Sequence, residues 1–245
     1  REDRKALHIY TAEPNERVLL DRLAKEDYRC LLIGTKGSGD ITVTSESAME
    51  VKMRLEIQNG FCGTVYLDNV EIAREHSSPC IEIGEHCDVR LELCGNNYLK
   101  HGGIRVAESA KLTICGSGRL SISVDGSCSY AIGNDADSAH GELIFEQGVS
   151  IENNAAAGVC IGSGKGGKIS IREGQFILYM ATAYGVGIGS LNADTDLVLS
   201  NCDIAINLSA QTGAAIGSLN GNCRVTSEHA SIKTYLSGND LLGIG

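Results

Sequence analysis

The chain has no tryptophan, only three phenylalanines and only two prolines in 245 residues, so it does not build a compact core around large aromatic rings. Basic residues are also scarce. Lys and Arg total 21 against 31 Asp and Glu, a formal net charge of −10, and that field repels polyanions, which argues against nucleic acid and anionic membrane as partners. No apolar run reaches the roughly 20 residues a bilayer span requires and no signal peptide opens the chain, so no membrane insertion is expected. An initiator methionine is missing as well. The opening Arg-Glu-Asp-Arg-Lys reads as the start of an excised piece of a larger protein.

Glycine is abundant, at 30 residues, and the apolar weight lies in Ile, Leu, Val, Ala and Cys. These mid-sized residues fill a narrow interior layer by layer, which is the signature of a repeat array. Of the ten cysteines, Cys94, Cys115, Cys202 and Cys223 lie in or beside apolar strand patterns and read as small core hydrophobes. Free thiols imply a reducing or anaerobic setting, although stacked pairs could be bridged.

From Tyr130 onward a small-small-Ile-Gly motif recurs, placing Ile132, Ile161, Ile188, Ile216 and Ile244 at spacings of 29, 27, 28 and 28. A fixed period of this size marks a solenoid. Between these anchors Ile169/Ile171, Leu197/Leu199 and Cys223/Val225 alternate with polar residues, the period-two pattern of strands with apolar side chains inward. A second strand set follows at Val149/Ile151, Phe176/Leu178, Ile204/Ile206/Leu208 and Ile232/Leu236, so that each coil holds three short strands.

In the first half, Asp88–Gly95 matches Ser109–Gly116 at a spacing of 21. The coils therefore lengthen from about 21 to 28 residues by extending turns. The expected fold is all-β, a right-handed parallel β-helix of about eight coils stacked ~4.8 Å apart. Residues 1–29 form an N-terminal strand and a short capping helix, and residues 30–245 one continuous β-helix. The helix is expected over Asn15 to Asp27, with Asn15 as N-cap and Val18, Leu19, Leu20 and Leu23 facing the first coil. The other end stops in mid-repeat with no polar cap, which predicts packing of another domain or protomer on an open C-terminal coil.

The Ile-Gly runs, Gly213-Ala-Ala-Ile-Gly-Ser-Leu-Asn-Gly221 above all, resemble the tandem repeats of pectin-lyase-like right-handed β-helix proteins. More narrowly they resemble the repetitive "carbohydrate-binding domain" proteins of gut Firmicutes. That resemblance implies a bacterial, extracellular or cell-surface protein and a glycan or polysaccharide ligand. The cysteines keep a cytoplasmic setting open, and the superfamily also holds polysaccharide lyases, hydrolases, adhesins and spacer modules.

Aligning coils on the Ile-Gly anchors stacks Ser123, Glu152, Tyr179, Asn207 and Tyr235 in one outward column. Exposed tyrosines with amide and carboxylate between them suit a neutral sugar, whose ring stacks on an aromatic face while its hydroxyls take directional hydrogen bonds. Glu152, Tyr179, Asn207 and Tyr235 are therefore the candidate ligand-binding residues. Tyrosine is also a favoured strand residue on any solvated sheet.

A strip of small residues at Gly158/Cys160, Gly185/Gly187, Gly213/Ala215 and Gly243 either lets a ligand approach closely or relieves crowding between stacked turns. No cofactor is expected. The acidic turns Asn134–Asp137, with His140 and Glu142, and Asn192–Asp196 leave Ca²⁺ as a lesser reading, since the spacing of a dedicated calcium loop is missing. Carboxylates could meet across coils at glycosidase separations, Asp196 with Glu142 or Arg224 nearby, but nothing in the sequence favours this over chance, and no catalytic residue is assigned. Cys80, Cys87, Cys94 and His101 recur every seven residues, one third of a 21-residue coil, which sends them to different faces rather than to a metal.

The leading expectation is a non-catalytic module that binds carbohydrate on its outer sheet. A pectin-lyase-like lyase or hydrolase and a structural or oligomerisation spacer are the rivals.

Overall fold

A computed structural model describes residues 8–74, 79–126 and 128–245 of the chain; the Arg-Glu-Asp-Arg-Lys opening lies outside them. The fold is a parallel β-helix. Its windings visit three faces in turn, and adjacent windings pair strand on strand in parallel throughout. The first face runs from Ile9–Thr11 through Ile81–Ile83 to Gly158–Ser163. The second stacks nine strands from Arg17–Leu19 to Cys223–Glu228, hence about eight windings between its ends. The third begins at Glu71–Ala73 and includes Arg119–Val124 and Val149–Ala155. In the last windings the long strands Gly174–Ser190, Cys202–Ser218 and Ser231–Ile244 run along the third face, turn a corner and continue on the first, so those two faces share one sheet.

Vertical register follows the aliphatic anchors. Ile81 pairs with Ile104, then come Ile132, Ile161, Ile188, Ile216 and Ile244, in steps of 23, 28, 29, 27, 28 and 28 residues. Ile132, Ile161, Ile188 and Ile216 are fully buried in one core that runs the length of the solenoid, with Ile169, Ile171, Leu197 and Leu199 alongside. On the outermost winding Leu236, Leu242 and Ile244 are exposed.

The glycine after each of the four buried anchors from Ile132 to Ile216 is required twice over. Gly133, Gly162, Gly189 and Gly217 have φ of +147°, +135°, +140° and +139°, a region closed to side chains. A Cβ on any of them would also fall 1.5 to 1.9 Å from the carbonyl oxygen of the corresponding glycine one winding on.

Two sequence expectations are corrected. The Asp88–Gly95 segment stacks with a step of 23, not 21: Asp88 lies beside Lys111 and Leu91 beside Ile114, so Cys115 meets Glu92 rather than Cys94. A two-residue slip leaves a period-two pattern unchanged, so alternation alone could not detect it. The helix is likewise shorter, Leu20–Lys25. Arg17–Leu19 is a strand pairing with Thr42–Thr44, and Asn15 is no N-cap. It sits at φ 64° in the preceding turn, where its Oδ1 accepts the Asp40 N–H at 3.2 Å. The helix takes the side of the first winding that later windings give to a third-face strand, burying Leu20 and Leu23. Buried Asp21 accepts bonds there from the Ser47 hydroxyl at 2.8 Å and from the Ser47 and Glu46 N–H groups. No described helix is long and apolar enough to cross a membrane.

Candidate functional site

Strict alternation along Gly174–Ser190 positions the candidate tyrosine. Phe176, Leu178 and Met180 are buried, with Phe176 packed edge-on against Phe145 at a centroid distance of 5.3 Å. Gln175, Ile177, Tyr179 and Ala181 consequently point outward. Cys202–Ser218 repeats the pattern, burying Ile204, Ile206 and Leu208 and turning Asn207 and Ser209 out. On Ser231–Ile244 the matching outward residues are Tyr235 and Ser237.

The column over these strands reads Ser123, Asn154, Tyr179, Asn207, Tyr235. Tyr179 is 42% and Tyr235 58% exposed. With Ala181, Ser209 and Ser237 they border a shallow groove of about 580 Å³ that has no charged residue in its lining.

Three of the four candidate residues thus share the column and the fourth does not. Glu152 stands two residues away, beside Ser121 and Ile177, where Arg119 neutralises it in an ion pair. The corner that follows it explains the displacement. Ala155 pairs with Met180 and Gly158 with Gly185, so this winding turns the corner with two residues fewer, and counting back from Ile161 overshoots. Val149/Ile151 accordingly pair with Gly174/Phe176, and Leu178 pairs with Asn153.

Asn154 is the member that the sequence reading missed. Its signal was concealed by Asn153, a polar residue at an interior position, stacked between Ile122 and Leu178 and 0% exposed. Neither amide atom of Asn153 meets a nitrogen or oxygen partner among the described residues, and the buried Cys160 thiol is the weak partner beside it.

The surroundings of the groove differ from it in charge. On the earlier rungs of the same face Lys100 is shared between Glu71 and Glu50, and Arg119 is held by Glu152. Past that pair the groove lining is neutral, and Asp203 and Lys233 stand on other columns of the same face, outside that lining. The second face carries six charges of alternating sign on successive rungs: Asp88, Lys111, Glu142, Lys168, Asp196 and Arg224. Within it, Asp88–Lys111, Glu142–Lys168 and Asp196–Arg224 pair at 2.7, 2.8 and 3.8 Å. Asp196 and Glu142 are therefore two rungs apart, with Lys168 on the rung between them.

The remaining candidates resolve into structural roles. The small-residue strip is not an outer surface: Cys160 and Ala215 are fully buried, and a Cβ on Gly187 would meet Ile206 at 3.1 Å. In the acidic turns, Asp194 accepts the Asn222 N–H at 2.8 Å, Asn192 accepts from the Asn220 amide at 2.9 Å, and Asp135 lies 3.8 Å from Arg105. His140 is buried, its Nδ1 donating to the Gly141 carbonyl at 2.6 Å. Burial holds its pKa down from the ordinary 6.5 to about 4.

Cys80, Cys87, Cys94 and His101 occupy separate strand ends, and no group of three potential ligands converges among the described residues. All ten cysteines are free. Burial pushes the Cys80 and Cys160 thiols up to about 12, out of the reactive range.

Compared with protein-family models, with curated proteins and with solved structures, the chain matches none.

Proposed function

We propose that this β-helix is a non-catalytic carbohydrate-binding module and that its ligand lies over Asn154, Tyr179, Asn207 and Tyr235. One observation carries the reading. The column brings two exposed aromatic rings and two side-chain amides onto four consecutive rungs, and no side-chain hydrogen bond within the described residues uses those amides or the two phenols. A sugar offers an apolar ring face for stacking and hydroxyls that both donate and accept, which matches phenol rings alternating with amides. The absence of charge in the groove lining favours a neutral glycan over a uronic-acid polymer, whose carboxylates would call for a basic partner.

The resemblance of the Ile-Gly repeats to the repetitive carbohydrate-binding domain proteins of gut Firmicutes agrees with this reading. A glycan array probed with the wild-type chain and with Tyr179→Ala and Tyr235→Ala tests it. Retention of neutral glycans, lost in both variants, is the expected result. Release of reducing ends or unsaturated sugars from uronic-acid polymers would favour a lyase or hydrolase, and no retention of any glycan would favour a spacer.

A further inference from the structure

Resting on that reading, the spacing of the two tyrosines narrows the ligand. Tyr179 pairs with Asn207 and Asn207 with Tyr235, so the rings are separated by two interstrand steps, about 9.6 Å along the solenoid axis. Between them the chain offers no ring but an amide. In an extended glycan with equatorial β-1,4 linkages each sugar is flipped relative to its neighbour, so only every second ring presents the same face to one side. A platform with stacking surfaces on alternate rungs and an amide between them reads such a chain in phase.

We infer that the site binds a neutral, extended β-linked glycan lying parallel to the helix axis. Rings one and three stack on Tyr179 and Tyr235, and the hydroxyls of the flipped middle ring meet the Asn207 amide. Asn154, one rung before Tyr179, serves the hydroxyls of a fourth ring. A polyproline II peptide has a turn of similar length, ~9 Å, but its backbone presents acceptors and its prolines no donor, which would leave the amide oxygens of Asn154 and Asn207 unmatched. The glycan uses both ends of each amide.

Titration calorimetry with β-1,4-linked glucose, mannose and xylose oligomers of two to six rings tests the inference, with α-1,4-linked glucose oligomers, galacturonic-acid oligomers and a proline-rich peptide as comparisons. The expected result is a rise in affinity of at least tenfold between two and three rings for a β-linked series, a smaller rise at four, and no comparable step for the α-linked series. The double variant Asn207→Tyr/Tyr235→Asn keeps both tyrosines on the same face but places them on adjacent rungs, and it should remove the step while leaving circular dichroism unchanged. Equal affinity for two and three rings, or a step that survives in the double variant, would overturn the alternate-ring geometry and leave glycan binding standing. Binding of the peptide without any glycan, or of no probe at all, would overturn both.

Discussion

A methyl group added to Gly189 would lie 1.9 Å from the carbonyl oxygen of Gly217, one winding on. Backbone, not a yielding side chain, fills that space, and the glycine φ of +140° disfavours a side chain independently. Gly189→Ala should therefore destabilise the protein by about 3 kcal/mol or more. Gly126, around which a Cβ would meet nothing within 4 Å, supplies the control: Gly126→Ala should leave the urea midpoint within experimental scatter.

The interior and exterior of the same coil should respond in opposite ways. Ile188→Ala empties a fully buried position and should cost about 2 to 5 kcal/mol, read as a lowered denaturation midpoint with the slope retained. Tyr179→Ala removes an outward ring and should change stability by no more than about 0.5 kcal/mol. A Tyr179→Ala loss equal to that of Ile188→Ala would mean the ring supports the fold.

Asn153 should be replaceable with a gain. Its amide is buried with only the weak Cys160 thiol beside it and stands in a column with Ile122 and Leu178. Leucine there keeps the branched shape and removes a poorly satisfied amide, so Asn153→Leu should raise stability by about 1 kcal/mol. A lower melting temperature in the variant would show that the amide is satisfied in solution.

His140 gives the fold a pH dependence of known sign. Its folded-state pKa, held by burial at about 4, lies below the ordinary 6.5, so on acidification the unfolded chain takes up the proton first. The stability linked to the neutral ring is complete above pH 6.5 and declines as pH falls toward 4, by up to about 3 kcal/mol. His140→Asn should flatten this part of the stability profile in denaturant titrations between pH 7 and 4. An unchanged slope would mean that the ring is protonated in the folded state.

The architecture was legible because Ile-Gly pairs recur where the backbone allows only glycine, and because Leu197/Leu199 and Ile169/Ile171 alternate without exception. Finer register was not. Aligning Cys94 with Cys115 failed since a two-residue slip keeps every apolar side chain inward. Glu152 was put in place of Asn154 because the corner before Gly158 is two residues short and because polar Asn153 hides an interior position. The helix start was misplaced because asparagine serves a positive-φ turn as readily as it caps a helix, and Val18 belongs to a strand. Tyr179, Asn207 and Tyr235 lie in the windings of constant period, where counting from the anchors works.

The alternating column from Asp88 to Arg224 bears on how such a protein can change length. Removing the coil that carries Glu142 would set Lys111 against Lys168, and removing the one that carries Lys168 would set Glu142 against Asp196. Excising two neighbouring coils restores an acid facing a base. Along this stretch, growth or shrinkage by duplication and deletion is thus electrostatically matched only for even numbers of turns, a parity rule written on the outside of a molecule whose interior would accept any number.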